Sequence, residues 1–249
     1  MTMRVHLVRS EEYPCHRFRT IIEILKGFKG PVRFLFRDED IAENMDDEAE
    51  EYDGPGGYGN RIGNELYGNI LLDWDEHFSK CEKFREQNKK IKPNDLVVLF
   101  TDYGNKDNWF SSWDPSGKMN FFIQTSRWDD YVDARSCYPI IYELATIPLI
   151  ISTWKNLDEV TAASHKEPRG CPLDYCREKK QIELRLRTGD VCPDCLEEMK
   201  KKKIDQNLAR QVFAIMDHVR DQVLFRKRFD ITKQLSRINI EIGDSRIIF

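Results

Sequence analysis

The amino-acid sequence predicts an α+β protein, with a mixed sheet and a central apolar helix followed by a cysteine knot and C-terminal helices. Three observations carry that expectation. The chain opens strand, helix, strand; its most apolar stretch runs from Tyr138 to Trp154; and four of its seven cysteines fall into two close pairs beyond that stretch. With 249 residues, 40% hydrophobic and 33% charged, the chain is long enough to bury a sizeable core and is neither fibrous nor wholly disordered. A net charge of -4 supplies no attraction of the whole protein to nucleic acid or to an anionic membrane, although a local basic face remains possible.

The opening MRVHLVR reads as a strand, Arg17 to Phe28 as a helix and VRFLF after Gly30-Pro31 as a second strand. Between Arg37 and Asp53 there are ten acidic residues and one basic one, followed by the glycine-rich GPGGYGN, so residues 37–60 read as an acidic insertion, either a solvated excursion or a partner-binding arm. Trp74 to Lys89 then places Trp74, Phe78, Cys81 and Phe84 near one helical face, and the pairing of His77 with Cys81 reads as core or surface residues rather than a metal site. DLVVLFTD and NFFIQTS read as two strands joined by a loop carrying NWFSSW, with turn signals in DPSGK. Trp109, Phe110 and Trp113 in that loop either cap a cleft or pack beneath it.

Tyr138 to Trp154 is too short for a usual bilayer span, and it contains Glu143 and Pro148. A buried helix that kinks or ends at Pro148 is expected. Glu143 is its odd residue, because a carboxylate among Ile, Leu and Pro must find hydrogen bonds, meet solvent in a cleft or take up a proton. Residues 1–160 thus read as a mixed α/β core. Residues 161–249 read as the cysteine knot and a helical region packed on that core, with Leu208, Val212, Ile215, Met216 and Val219 on one apolar face and an alternating INIEIGD segment near the end.

Cys171 and Cys176 are separated by four residues, Cys192 and Cys195 by two. Four thiolates at such spacings are the ligand set of a tetrahedral structural zinc, with iron, disulfides and unmetallated core cysteines as the alternatives. The odd cysteine total fits a reducing compartment, and the first residues carry no apolar run with a cleavage site, so a cytoplasmic, non-membrane protein is expected. A closed shell of four thiolates has no open position and does not by itself imply catalysis.

A core strand, an apolar helix with an acidic residue, and nearby Cys-x4-Cys and Cys-x2-Cys pairs resemble the archaemetzincins, zinc peptidases of the metzincin group that carry an additional structural zinc. The resemblance runs over Leu96 to Cys195, with a matching βαβ opening. It implies a metzincin-like fold and places YELAT, Tyr142 to Thr146, over the family's HExxH. Tyr142 and Thr146 stand where two metal-binding histidines belong, and only Glu143 keeps the general-base position. His165 falls in the neighbourhood of the third ligand but farther along the chain than the family spacing.

The function that follows is a noncatalytic, metalloprotease-like zinc protein, a pseudoenzyme serving as a protein-binding or accessory module. The zinc would be held by Cys171, Cys176, Cys192 and Cys195, and the cleft beneath Trp109, Phe110 and Trp113 would meet a protein partner. One alternative is a hydrolase whose site is rebuilt around Glu143, His165 and Glu167. A weaker one is a nucleic-acid accessory protein using Arg177, Lys179, Lys180, Arg185 and Arg187 with Arg226 to Arg228.

Overall fold

Strands β1 (Met3–Arg9), β2 (Val32–Leu35), β4 (Leu96–Thr101) and β7 (Asn120–Gln124) run parallel, and β6 (Ser111–Trp113) closes the sheet antiparallel to β7, in the order β2-β1-β4-β7-β6. A two-stranded ribbon, β3 (Leu71–Leu72) with β5 (Gly104–Asn105), lies outside it. The helices are α1 (Cys15–Lys26), α2 (Trp74–Gln87), α3 (Cys137–Thr153), α4 (Leu157–Ala163), α5 (Ile182–Thr188), α6 (Pro193–Lys201) and α7 (Gln206–Arg237). This computed structural model describes residues 2–37, 67 and 69–237, with side chains as far as Leu224. The acidic insertion past Arg37 and the INIEIGD segment lie outside the described residues, as do the side chains of Arg226 to Arg228.

The sheet is covered on both faces, which explains why β4 reads as an unbroken apolar run. Leu96, Val98 and Phe100 join Val5, Leu7, Phe121 and Ile123 in the core beneath α1, α3 and α7, while Val97 and Leu99 join Val8 and Phe122 against α2. Alternate residues of each strand therefore serve opposite layers. The larger core also takes in Leu173, Leu186, Met199, Val212 and Met216, so residues 1–160 and 161–249 share one hydrophobic cluster. On α2, His77 and Cys81 are core residues, both fully buried, with His77 stacked on Phe122 and donating from Nε2 to the carbonyl of Gly104.

One local expectation is corrected, and one of the two outcomes expected at Pro148 is removed. The SSW of the supposed loop is itself the edge strand β6, and the DPSGK turn joins it to β7. Three residues are too few to show alternation, and the strand exists because Ser111 to Trp113 pair with Phe121 to Ile123. Nor does Pro148 end α3, which continues to Thr153. Thirteen of its seventeen residues are buried, and that packing outweighs one missing backbone hydrogen bond. Among the described residues no single helix is long and apolar enough to cross a membrane.

The edge of β2 is held by α7 through a single side chain. Gln211 accepts from the Val32 amide at 2.8 Å and donates to the carbonyls of Val32 and Phe28, both at 3.0 Å. Gly30 makes room for it, since a Cβ there would lie 2.1 Å from Gln211 Oε1. Gln211→Ala strands a buried amide and is expected to cost about 1–3 kcal/mol in urea denaturation. Gly30→Ala should cost less in the Gln211→Ala background than alone, because the two closest clashes are with the missing amide and only the 2.8 Å contact with the Cβ of residue 211 remains; additive losses would disprove the coupling.

Candidate metal centre and adjoining cleft

A short loop and a helix start converge after α4. Asp174 Oδ2 accepts from the backbone amides of Arg169, Gly170 and Cys171 at 2.7, 2.6 and 3.2 Å, curling the chain around its carboxylate. The amide of His165 donates to the Leu173 carbonyl and that of Tyr175 to the His165 carbonyl, which sets His165 beside Cys171. Gly170 sits at φ +81°, where a side chain would be strained and would strike Thr188. Cys192 and Cys195 come from the N-terminal end of α6, where the helix dipole and free amides favour thiolates.

The donors of His165, Cys171, Cys192 and Cys195 all lie within 4.8 Å of one another. His165 Nε2 is 3.2 Å from Cys192 Sγ and 3.3 Å from Cys195 Sγ, and Cys171 Sγ is 3.8 Å from Cys195 Sγ. A tetrahedral zinc, with Zn–S of about 2.3 Å and Zn–N of about 2.0 Å, sets two sulfurs about 3.8 Å apart and sulfur about 3.5 Å from nitrogen. The donor set thus fits a closed three-cysteine, one-histidine site. In the thiols by themselves, the hydrogen bond from Cys195 brings Cys171 down to about 5, and the same bond raises Cys195. A divalent cation relieves that opposition by stabilising all the thiolates together.

Of the four cysteines expected to hold zinc, Cys171, Cys192 and Cys195 lie in this cluster together with His165, and Cys176 lies outside it. Cys176 adopts φ 47° and turns its Sγ to within 4.0 Å of Arg185 Nη1, on the other side of the loop. Sequence spacing alone favoured Cys176 because it pairs neatly with Cys171. A signal for His165 was present, a histidine six residues before Cys171 in a chain where three-cysteine, one-histidine sites are as ordinary as four-cysteine ones.

Glu143 lies in a different place from the cluster. It is 4% exposed on α3 and lines a cavity of about 190 Å³ with Thr146, Ser111, Trp109, Phe110 and Tyr175. Ser111 Oγ donates to Glu143 Oε2 at 2.7 Å, and Arg185 Nη2 on α5 is 3.2 Å from Oε1. Arg185 is 6% exposed, with its guanidinium 5.4 Å from the centre of the Tyr142 ring. Burial opposes its charge, but Glu143 together with Tyr142 and Cys176 more than offsets this and the group stays a cation. Thr146 Oγ1 donates back to the Glu143 carbonyl within the helix.

The rebuilt trio does not assemble: His165 faces the cysteines, Glu167 is exposed and does not line the cavity, and Glu143 is held by Arg185. Arg185 is spent inside the protein and drops out of the basic set around the knot. The aromatic trio divides. Phe110 stacks on Trp128 and Trp113 on Phe121, both buried, while Trp109 is partly exposed and meets Tyr175 edge-on at 5.9 Å. Arg185 as the partner of Glu143 was missed, and its only sequence signal was a buried acid in need of a cation. No protein-family model matches the chain, and comparison with curated proteins and with solved structures finds no match.

Metal analysis of protein purified under reducing conditions should find one zinc per chain. His165→Ala and Cys195→Ser should lose it and melt at lower temperature, whereas Cys176→Ser should keep it. Zinc retained by His165→Ala and lost by Cys176→Ser would restore the four-cysteine set. Arg185→Met should destabilise the fold by about 3–5 kcal/mol by leaving Glu143 buried without its cation, and adding Glu143→Gln should recover part of the loss in a double-mutant cycle.

Proposed function

We propose that the chain is a noncatalytic, metalloprotease-like zinc protein whose cleft binds a protein partner. The observation that carries this reading is the engagement of Glu143. A general base must have a lone pair free for the proton of an attacking water, and must stand beside the group that activates that water. Glu143 instead accepts from Ser111 through Oε2 and faces the Arg185 guanidinium through Oε1. Tyr142 and Thr146 add no imidazole at this position. A metal held by His165, Cys171, Cys192 and Cys195 would have a full shell, and its chemistry there is structural, tying the 165–175 loop to the start of α6. The cleft retained beside Glu143, walled by Trp109 and Tyr175, supports the binding half of the reading.

Zinc-loaded protein incubated with a mixed peptide library should leave every peptide intact by mass spectrometry. Cleavage that disappears in Glu143→Gln, with fold and metal content unchanged, would overturn the reading.

A further inference from the structure

The charges lining the cleft do not all find partners. Glu143 and Arg185 answer one another, and Asp174 is committed through Oδ2 to three backbone amides. Asp107 and Arg177 are exposed and opposite in sign at the rim. Lys179 remains. It is half-buried, its Nζ stands 4.6 Å from the centre of the Phe110 ring and 5.4 Å from that of Tyr131, and among the described residues no carboxylate lies within ion-pair distance of it. The rings attract the ammonium but offer its three N–H donors no hydrogen-bond acceptor of the lone-pair kind. Desolvation by burial, with Arg127 nearby, brings its pKa down to about 8, the response of a cation short of a counter-charge.

Three buried polar atoms of residues that line the same cavity have no hydrogen-bond partner: Arg185 Nε, Glu143 Oε1, which is touched only by the ion pair, and Asp174 Oδ1. A cavity with a half-buried ammonium, aromatic walls and unpartnered polar atoms is built for a polar ligand with an apolar part. The single ammonium of Lys179, set against the rings where Arg177 is exposed, matches a monoanion better than a phosphate group, which carries about 1.5 to 2 negative charges near pH 7.

We propose that this cleft binds a carboxylate attached to an apolar or aromatic group, with the carboxylate on Lys179 and the apolar part against Trp109 and Phe110. The proposal rests on the reading of the cleft as a binding site and names what it recognises. Such a carboxylate has two sources, the free C-terminal end of a peptide chain and a small organic acid.

Calorimetric titration of the zinc-loaded protein with acetyl-Gly-Gly-Phe, its C-terminal amide and 3-phenylpropionate separates them. The free acid of the peptide should bind at least tenfold more tightly than the amide. That preference should vanish in Lys179→Met and survive in Lys179→Arg, which keeps the charge. Tighter binding of the peptide acid than of 3-phenylpropionate assigns the chain end as the source, and equal binding assigns the small acid. Equal affinity for acid and amide, a preference that persists in Lys179→Met, or no binding of any of the three overturns the proposal. Mass spectrometry of the recovered peptide keeps the two readings apart, because a shortened peptide defeats the noncatalytic reading whatever the carboxylate preference shows.

Discussion

A carboxylate in the middle of the most apolar helix cannot stay ionised without a cation, and in this molecule the cation arrives from another part of the chain. Arg185 on α5 reaches Glu143 on α3 at 3.2 Å, with both side chains almost completely removed from water. Each alone would be a buried unpaired charge, so neither helix can take up its place without the other. The pair fixes the approach of α5 to α3, forms the floor of the cleft and occupies the carboxylate that would otherwise be free for proton transfer.

The candidate metal centre bears on the same contact. Cys171 precedes α5, and Cys192 and Cys195 follow it, so a metal joining them closes a loop whose middle carries Arg185. Closing that loop reduces the freedom of the segment before the ion pair forms and makes the encounter of Arg185 with Glu143 less costly in entropy. A metal held there and the buried ion pair would act in series, one gathering the segment and the other seating it against the core. Cys176 sits between the two systems, its thiol turned toward Arg185 and away from the other cysteines.

Much of the layered framework was legible in the sequence because periodicity reports burial directly. The run at Leu96 to Phe100 announced an apolar strand, and the spacing from Leu208 to Val219 announced the buried stripe of α7. What sequence concealed depended on partners distant along the chain. The three-residue strand β6 exists only through its pairing with β7, α3 survives Pro148 because its surroundings hold it, and His165 reaches the cysteines only because Asp174 gathers three amides. Glu143 was recognisable as a residue needing an explanation, but nothing local distinguished Arg185 from the other basic residues near it.

The amide of Gln211 has a further consequence at the sheet's border. An edge strand ordinarily offers outward N–H and C=O groups to which a foreign strand can add, the first step of edge-to-edge polymerisation. At Val32 both groups are already taken by a side chain of the same molecule. A strand recruited there must first displace Gln211 and forgo its three hydrogen bonds, so α7 acts as a stopper against sheet growth at β2. The opposite border, β6, limits growth by being only three residues long.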